Sequence, residues 1–424
     1  MKKKKLRKKA LLVIIILLII LIGAVTFSFF VYTKHQETIK IEIQKKKEEK
    51  LLKSINNSYG KVVVVTKDTK LYKLENDKYI EVGTISKDMK LNLEENLKID
   101  LNTKYFKITD NGLYISYKDV KPTDEVVTSD LRYKNYLLFD ENIITKENAK
   151  LYNKDKTTLE YTIKDKIDTP IIIKDIEGVY VEYFNELVFV KNEDLESTYP
   201  KANNTVAEAS SIPVTCYHFI YLPGDNTCDE IICHSQAQIE SHFTYLTENN
   251  YFSLNTTELR LFIEGNLRLP KNSILITIDD GARAEKFIPL LEQYKLNATL
   301  FLVSSWYPKE TFASPYMEIA SHTHNLHTGG KCSGGQGGWI KCLEHDALLA
   351  DFVTSRQTLD NTEAFCYPFY EYNNYTISVL KEAGFKMGFA GGQKKVTRGI
   401  DLFNIPRITI HNSTSLQEYI NYVS

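Results

Sequence analysis

The chain has 424 residues, with 53 Lys and Arg against 54 Asp and Glu, a formal net charge of −1. That balance excludes a general nucleic-acid binder, which carries a basic excess. Hydrophobic residues at 43% and charged residues at 25% exclude wholesale disorder, and 19 Gly with 11 Pro exclude collagen-like and low-complexity classes.

The charge is unevenly spread. The first nine residues carry seven positive charges and no acid, which leaves 46 basic against 54 acidic residues, a net of −8, for the rest. From Ala10 to Tyr32 there is no charged residue. As a helix rising about 1.5 Å per residue this run spans roughly 34 Å, enough for a hydrocarbon core of about 30 Å. It lacks the polar stripe of a buried core helix. It is also too long for the apolar region of a cleaved signal peptide, and no A-x-A-like site follows it. The reading is a transmembrane helix over 10–32, with residues 1–9 as a cytoplasmic tail by the positive-inside rule and everything after Lys34 outside the cell.

Residues 33–56, rich in Lys, Glu and Gln, read as a solvated helical stalk. Beyond them, short β-rich runs (VVVVT, KLYKL, KYIEV, YFKI, LYISY) alternate with turn-like NDK, SKD and TDNG. A weak repeat relates Thr66–Tyr72 to Thr145–Tyr152. The expectation is two β-rich repeats, 57–125 and 126–200, built as small Src-homology-like barrels. They would either touch the cell wall or serve as a passive spacer. Residues 201–211, small and polar, read as a linker.

The chemistry-bearing residues lie further on. Eight of the nine His and 14 of the 19 Gly follow residue 200. Strands at 213–219, 273–278, 298–303 and 317–320, and near 364–367, 385–390 and 405–410, alternate with helices at 235–249, 284–293, 344–359 and 374–383. Such alternation implies an α/β barrel or doubly wound sheet, with functional groups where strands end. Asp279-Asp280-Gly281 closes the apolar run SILITI. Two adjacent carboxylates there suit a divided role, one on a divalent cation and one as a free base; a polar turn is the bland alternative. His322, His324 and His327 follow the strand at 317–320, a dense cluster of a common metal ligand. His with carboxylate suits catalytic zinc; a polar surface loop is the alternative.

All six Cys lie in this half. Cys228 with Cys233, and Cys332 with Cys342, are close pairs in loop-like sequence and are the expected disulfides. Cys216 and Cys366 lie in strand-like runs, as buried thiols would.

From Ile212 to the C-terminus the sequence resembles the polysaccharide deacetylases, the NodB-homology family of carbohydrate esterases. Ile212–His218 resembles the family's opening strand ending in Tyr-His. Lys271–Gly281 resembles the approach to its Thr-Phe-Asp-Asp-Gly motif, and Phe365–Phe369 its third motif. The His322-x4-His327 spacing is that of the poly-N-acetylglucosamine deacetylases. The resemblance implies a distorted (β/α) barrel over 212–424. It implies a divalent metal, zinc first, on Asp280, His322 and His327, and Asp279 as general base. The backbone N–H of Phe369 would be the oxyanion donor and His411 the general acid. Tyr367, Pro368, Trp339, Arg407 and His218 are expected on the substrate side, with His218 a rival for the general acid or a buried structural group. The implied substrate is an N-acetylated polysaccharide, peptidoglycan or poly-N-acetylglucosamine.

The sequence departs from the family at several places. Cys366 stands where the third motif begins with Arg, which orients the base. Arg407 is a candidate replacement, although a strand-end salt bridge accounts for it equally. Tyr370 replaces a Gly, and no Asp/Trp motif occurs in Gly388–Gly399. The missing Arg leaves open a catalytically impaired glycan-binding module, and the β-rich repeats a third reading, a structural wall tether.

Overall fold

The computed structural model describes residues 2–94, 105–109, 112–124, 131–225 and 230–424. A single helix runs over Lys2–Ser58. It covers the predicted anchor and stalk without a break, about 85 Å at 1.5 Å per residue. Its large apolar side chains from Leu11 to Tyr32 lie bare, each at least 45% exposed. Thr26 and Thr33 turn their hydroxyls back onto the carbonyls of Ile22 and Phe29, at 2.9 and 3.1 Å. No polar group of theirs is left to face an apolar surrounding. The helix is long and apolar enough to cross a membrane.

The chain divides into two compact units. The first holds Met1–Ser129 with Thr158–Asp165 and Phe184–Glu186; the second holds Asp130–Thr157, Lys166–Tyr183 and Leu187–Ser424. In the first, strand Val62–Val65 is flanked by Lys90–Asn92 and Val120–Pro122. Strands Thr69–Glu75 and Lys78–Ile85 form a hairpin whose turn residues, Asn76 and Asp77, both have positive φ. That is the backbone of the two-residue turn matching the twist of paired strands.

The weak repeat in the sequence is a repeat of topology. In the second unit strand Glu141–Thr145 is flanked by Asp168–Pro170 and Leu195–Pro200, just as Val62–Val65 is flanked in the first. The β-rich character is therefore present; closed barrels of the Src-homology kind are not established by it. The second β-rich segment also shares a core with the C-terminal domain. Tyr133, Ile172 and Ile173 pack in one cluster with Leu259, Leu267 and Leu269. Arg132 grips Glu258 through Nε and Nη2, both at 2.6 Å, and Arg268 pairs with Asp140 and Glu208.

The C-terminal domain is a parallel sheet wrapped by helices. Its strands are β1 Val214–Tyr217, β2 Ser273–Asp280, β3 Ala298–Leu302, β4 Met317–Ser321, β5 Ala364–Cys366, β6 Met387–Phe389 and β7 Ile408–Thr409. Their order is β6-β5-β4-β3-β2-β1-β7, and an eighth short strand, Phe252–Ser253, pairs with the start of β2. β2 and β3 are buried at every residue, which is why they read as continuous apolar runs. The segment from Ile405 to Thr409 spans from one sheet edge to the other. Ile405 bridges to Phe389 of β6, while Ile408 and Thr409 pair with Thr215 and Cys216 of β1. Whatever lies between, Arg407 above all, is thereby turned into the interior. Helix Gln236–Glu248 is capped by Ser235, which accepts from the Gln238 N–H. The Gln238 side chain turns to other partners: its amide donates to the carbonyls of His411 and Thr414, and its Oε1 lies 3.1 Å from His234 Nδ1.

Candidate active site

The C-terminal ends of β2, β4 and β5 present the site. Each ends on, or within a few residues leads to, a residue held in the left-handed region: Asp280 at φ 75°, Thr323 at φ 78°, and Phe369 and Tyr370 both at φ 60°. Non-glycine residues avoid this region unless the surroundings over-determine them, and such strain gathers at functional sites. Gly281, at φ 110°, has no room for a side chain, since a Cβ would sit 2.6 Å from Leu302 Cδ1. The turn after Asp280 thus needs both the left-handed backbone and the missing side chain.

Asp280, His322 and His327 converge. Asp280 Oδ1 lies 3.3 Å from His322 Nε2 and 3.2 Å from His327 Nε2. The same Oδ1 is buried and makes no hydrogen bond. A buried carboxylate oxygen that faces two imidazole nitrogens without a donor wants a cation. The carboxyl is held well below its usual range: burial opposes ionisation, and the neighbouring imidazoles outweigh it. His322 Nδ1 lies 2.8 Å from the Cys366 carbonyl. A carbonyl only accepts, so Nδ1 carries the proton and the Nε2 lone pair faces Asp280. His327 is packed between Trp306 and Phe369, with ring centroids at 5.3 and 4.6 Å. His324 turns away and meets Ser304 Oγ through Nδ1 at 2.9 Å. The donor set fits a divalent cation held by these three residues.

Asp279 is the second carboxylate. It is 2% exposed and gripped by a guanidinium fork: Arg407 Nη1 to Oδ1 at 2.7 Å and Nη2 to Oδ2 at 2.8 Å. Burial alone would raise its pKa, but the Arg407 charge and hydrogen bonds bring it down to about 2. Arg407 is fully buried, so the expectation that it faces substrate is corrected. Its remaining donors reach the Ala390 carbonyl, Thr277 Oγ1 and Cys366 Sγ, at 3.3, 3.2 and 2.9 Å. Its plane lies between the rings of Phe301 and Tyr370. The cation missing from the third motif is thus supplied from the segment that closes the sheet, and Cys366 is small enough to admit it. Tyr370, in place of a Gly, contributes one wall of that slot.

Two thiols complete the surroundings of Asp279. Cys216 and Cys366 are buried and free, with their sulfurs 3.6 and 3.5 Å from Asp279 Oδ2. Burial raises the Cys216 pKa to about 12, so it stays a neutral weak donor. His218 stands at the rim, its Nε2 3.9 Å from Asp279 Oδ2. His411 follows β7; its peptide N–H donates to Thr414 Oγ1. Among the described residues no hydrogen bond or ion pair joins the His411 ring to Asp279, Asp280, His322 or His327.

Other expected site residues fall elsewhere. Tyr367 is fully buried, its hydroxyl on the Phe403 carbonyl at 2.9 Å, and Pro368 is buried beside it. Both shape the floor and do not face a ligand. Trp339 is half-buried against the core cluster of Phe352 and Phe365, with Lys331 Nζ 5.2 Å from its ring centroid. It plugs the Gly-rich loop. The exposed aromatic beside the histidines is Trp306, at 45% exposure, which the sequence reading missed. The signal available was an aromatic pair, Trp306-Tyr307, a few residues past a fully buried strand. The Cys332–Cys342 disulfide is present. Cys233 is disulfide-bonded, while its expected partner Cys228 lies outside the described residues.

Residues 266–388 match the family model described as polysaccharide deacetylase. The chain carries a polysaccharide deacetylase domain. A poly-beta-1,6-N-acetyl-D-glucosamine N-deacetylase of Staphylococcus aureus strain MSSA476 is 29% identical over 201 residues, 42% of this chain and 67% of that protein. Among solved structures, IcaB from Ammonifex degensii is 18% identical with a TM-score of 0.44, covering 52% of this chain and 99% of that one. A de-N-acetylase from Aggregatibacter actinomycetemcomitans is 23% identical with a TM-score of 0.43, covering 50% and 99%. Deacetylases are hydrolases acting on carbon–nitrogen bonds, and the deacetylase domain places this chain among them.

Proposed function

We propose that this protein is a metal-dependent N-deacetylase of an N-acetylglucosamine polymer, anchored in the cell membrane with its deacetylase domain outside the cell. One observation carries the reading. A donorless buried carboxylate oxygen on Asp280 faces two imidazoles, next to a second carboxylate already neutralised by a buried Arg. Asp280, His322 and His327 would hold the cation, and the N,N,O set suits zinc. A divalent cation bound there acidifies water and polarises an acetamide carbonyl.

The chain's own groups do the rest. Asp279 stays ionised at every physiological pH and takes the proton of the attacking water. Its Oδ1 keeps a lone-pair direction beyond the Arg407 fork, whereas Oδ2 also takes the two weak thiol donors. Arg407 fixes that carboxylate in one orientation, as a positioning residue. The Phe369 N–H, in its left-handed turn, is the donor for the developing oxyanion. His218, the histidine closest to Asp279, supplies a proton to the leaving amine. Trp306 offers an exposed ring to a sugar face. The polymer is proposed from the name of the Staphylococcus relatives, and the outside location from the long apolar helix behind a basic tail.

The glycan-binding alternative leaned on the absent Arg of the third motif, and Arg407 removes that support. The test uses the purified full chain in detergent, measuring metal content and acetate release from poly-β-1,6-N-acetylglucosamine, chitin and peptidoglycan. One divalent ion per chain and acetate from the first polymer are expected. Asp279→Asn should keep the metal and lose about 10²–10⁴-fold in rate. Metal-loaded protein that frees no acetate from any of the three would leave the glycan-binding reading in its place.

A further inference from the structure

The first compact unit carries a feature that the deacetylase chemistry does not use. Strands Lys78–Ile85, Thr69–Glu75, Tyr114–Ser116 and Tyr105–Lys107 pair in that order. Side chains alternate across a sheet, so register decides which share a face. Leu71, Phe106 and Ile115 point one way and are at most 1% exposed. Tyr72, paired with Tyr114, points the other way, together with Tyr79 and Tyr105. Ring centroids lie 4.7 Å apart for Tyr72–Tyr105 and Tyr79–Tyr105, and 5.0 Å for Tyr79–Tyr114. Four tyrosines thus form one contiguous patch, each half-buried, on the face opposite the core.

We infer that this tyrosine face is a glycan-binding platform that holds an uncharged N-acetylated sugar polymer. Tyrosine offers what a pyranose ring needs: a flat apolar face for the C–H side, and hydroxyls at the edge for polar groups. The charges of the face decide between ligands. Lys70 pairs with Glu81 at 2.6 Å, and Lys107 with Glu94 at 3.1 Å. Each of these cations is neutralised by an adjacent acid. Among the described residues the face therefore carries no unpaired cation to gather an anionic lipid surface or a phosphate-rich polymer, and no unpaired acid to retain a deacetylated, cationic product. It complements the neutral N-acetylated chain. A second site on the same polymer raises the local concentration of substrate at the deacetylase domain without any new contact there. The choice of polymer rests on the proposed deacetylase function; the platform itself does not.

Cross-strand tyrosines also stabilise a sheet with no ligand at all, so the test must separate the two roles. The purified full chain is assayed for retention on insoluble chitin and, in parallel, on phosphatidylglycerol vesicles, using protein treated with chelator so that turnover plays no part. Tyr72→Leu with Tyr105→Leu keeps apolar bulk and removes the planar faces. With thermal melting unchanged, this variant should bind chitin about tenfold or more weakly. Tyr105→Phe, which keeps the ring and loses one edge hydroxyl, should lose far less binding than the leucine variant. The leucine variant should still release acetate from short soluble oligomers at the normal rate. Undiminished chitin retention by the leucine variant would overturn the platform, and so would equal loss in the phenylalanine variant. Vesicle retention beyond what the apolar helix itself supplies, and lost in the leucine pair, would reassign the face to a membrane. The binding results do not bear on whether the domain deacetylates, because they are read on metal-stripped protein; acetate release is a separate assay on untreated protein.

Discussion

Arg407 shows how a single side chain can rebuild a site that its own motif lacks. Its fork on Asp279 is fully buried, and a buried charge left alone is costly. Arg407→Met should therefore destabilise the domain by about 3–5 kcal/mol and abolish turnover, because Asp279 then loses both its partner and its orientation. Arg407→Lys keeps the charge but not the planar fork, so stability should recover more than activity. Denaturant unfolding beside acetate release measures both. Equal recovery of stability and activity with Lys would show that the charge, and not the fork, matters. A second test at this scale concerns the proton donor. His218→Gln should lower kcat by about 10²-fold with little change in KM, while His411→Gln should leave both near normal. The reverse pattern would move the role to His411.

The Gly-rich element after His327 is held from two sides. Its disulfide closes it, and Glu371, two residues past Phe369, reaches in to bind it. Glu371 accepts from the backbone N–H groups of Gln336 and Gly338, and pairs with Lys341 at 2.8 Å. Two restraints on one loop should be non-additive. Replacing Cys332 and Cys342 by Ser, or Glu371 by Ala, should each raise KM on long polymer by less than about threefold. Together they should raise it more than about tenfold, with kcat on short oligomers unchanged. Purely additive effects would mean that the loop does not touch the polymer.

Helix Gln236–Glu248 makes a different prediction. His242 stacks on Tyr419 at 3.9 Å between ring centroids, and its Nδ1 meets Tyr217 Oη at 3.0 Å. Burial lowers its pKa to about 3, and that of His234 to about 4. Both should charge near 6.5 once unfolded. Between those values the unfolded chain binds protons that the folded chain refuses. Stability is therefore full above pH 6.5 and falls as pH drops toward 4, by at most about 2.7 kcal/mol per pH unit for the pair. His242→Phe keeps the stacking and should roughly halve the slope of stability against pH between 4.5 and 6. An unchanged slope would remove His242 as the titrating group.

At the scale of the whole molecule, the continuous helix Lys2–Ser58 should decide where the protein is found. Removing residues 1–32 should release the remainder into the soluble fraction with its acetate-releasing rate on short oligomers intact. The full chain should sediment with membranes and need detergent. A truncated protein that still sediments with lipid would point to a further membrane contact. The compact units matter here too. Residues 130–157 and most of 166–200 share a core with the deacetylase domain, so a fragment beginning near residue 205 strips that core of Tyr133, Ile172 and Ile173. A fragment beginning near residue 130 would keep them.

What the sequence determined by itself were the features written locally. An uncharged run of 23 residues is long enough for a membrane whatever follows it. Continuous apolar strands such as Ser273–Ile278 announce burial on both faces, and Asp279, Asp280, His322 and His327 announce themselves by density and spacing. The Cys332–Cys342 pair was legible because a short loop brings its ends together under almost any fold. The tertiary structure alone decided what depends on distant partners. Arg407 lies 128 residues from Asp279, and only the closing of the sheet by Ile405–Thr409 turns it inward. Trp306 and Trp339 look alike in sequence, yet one is exposed beside His327 and the other plugs a loop. The tyrosine face emerges only when strand register sorts alternating residues onto opposite sides of a sheet, because a period of two says which residues share a face but not which face the core will take.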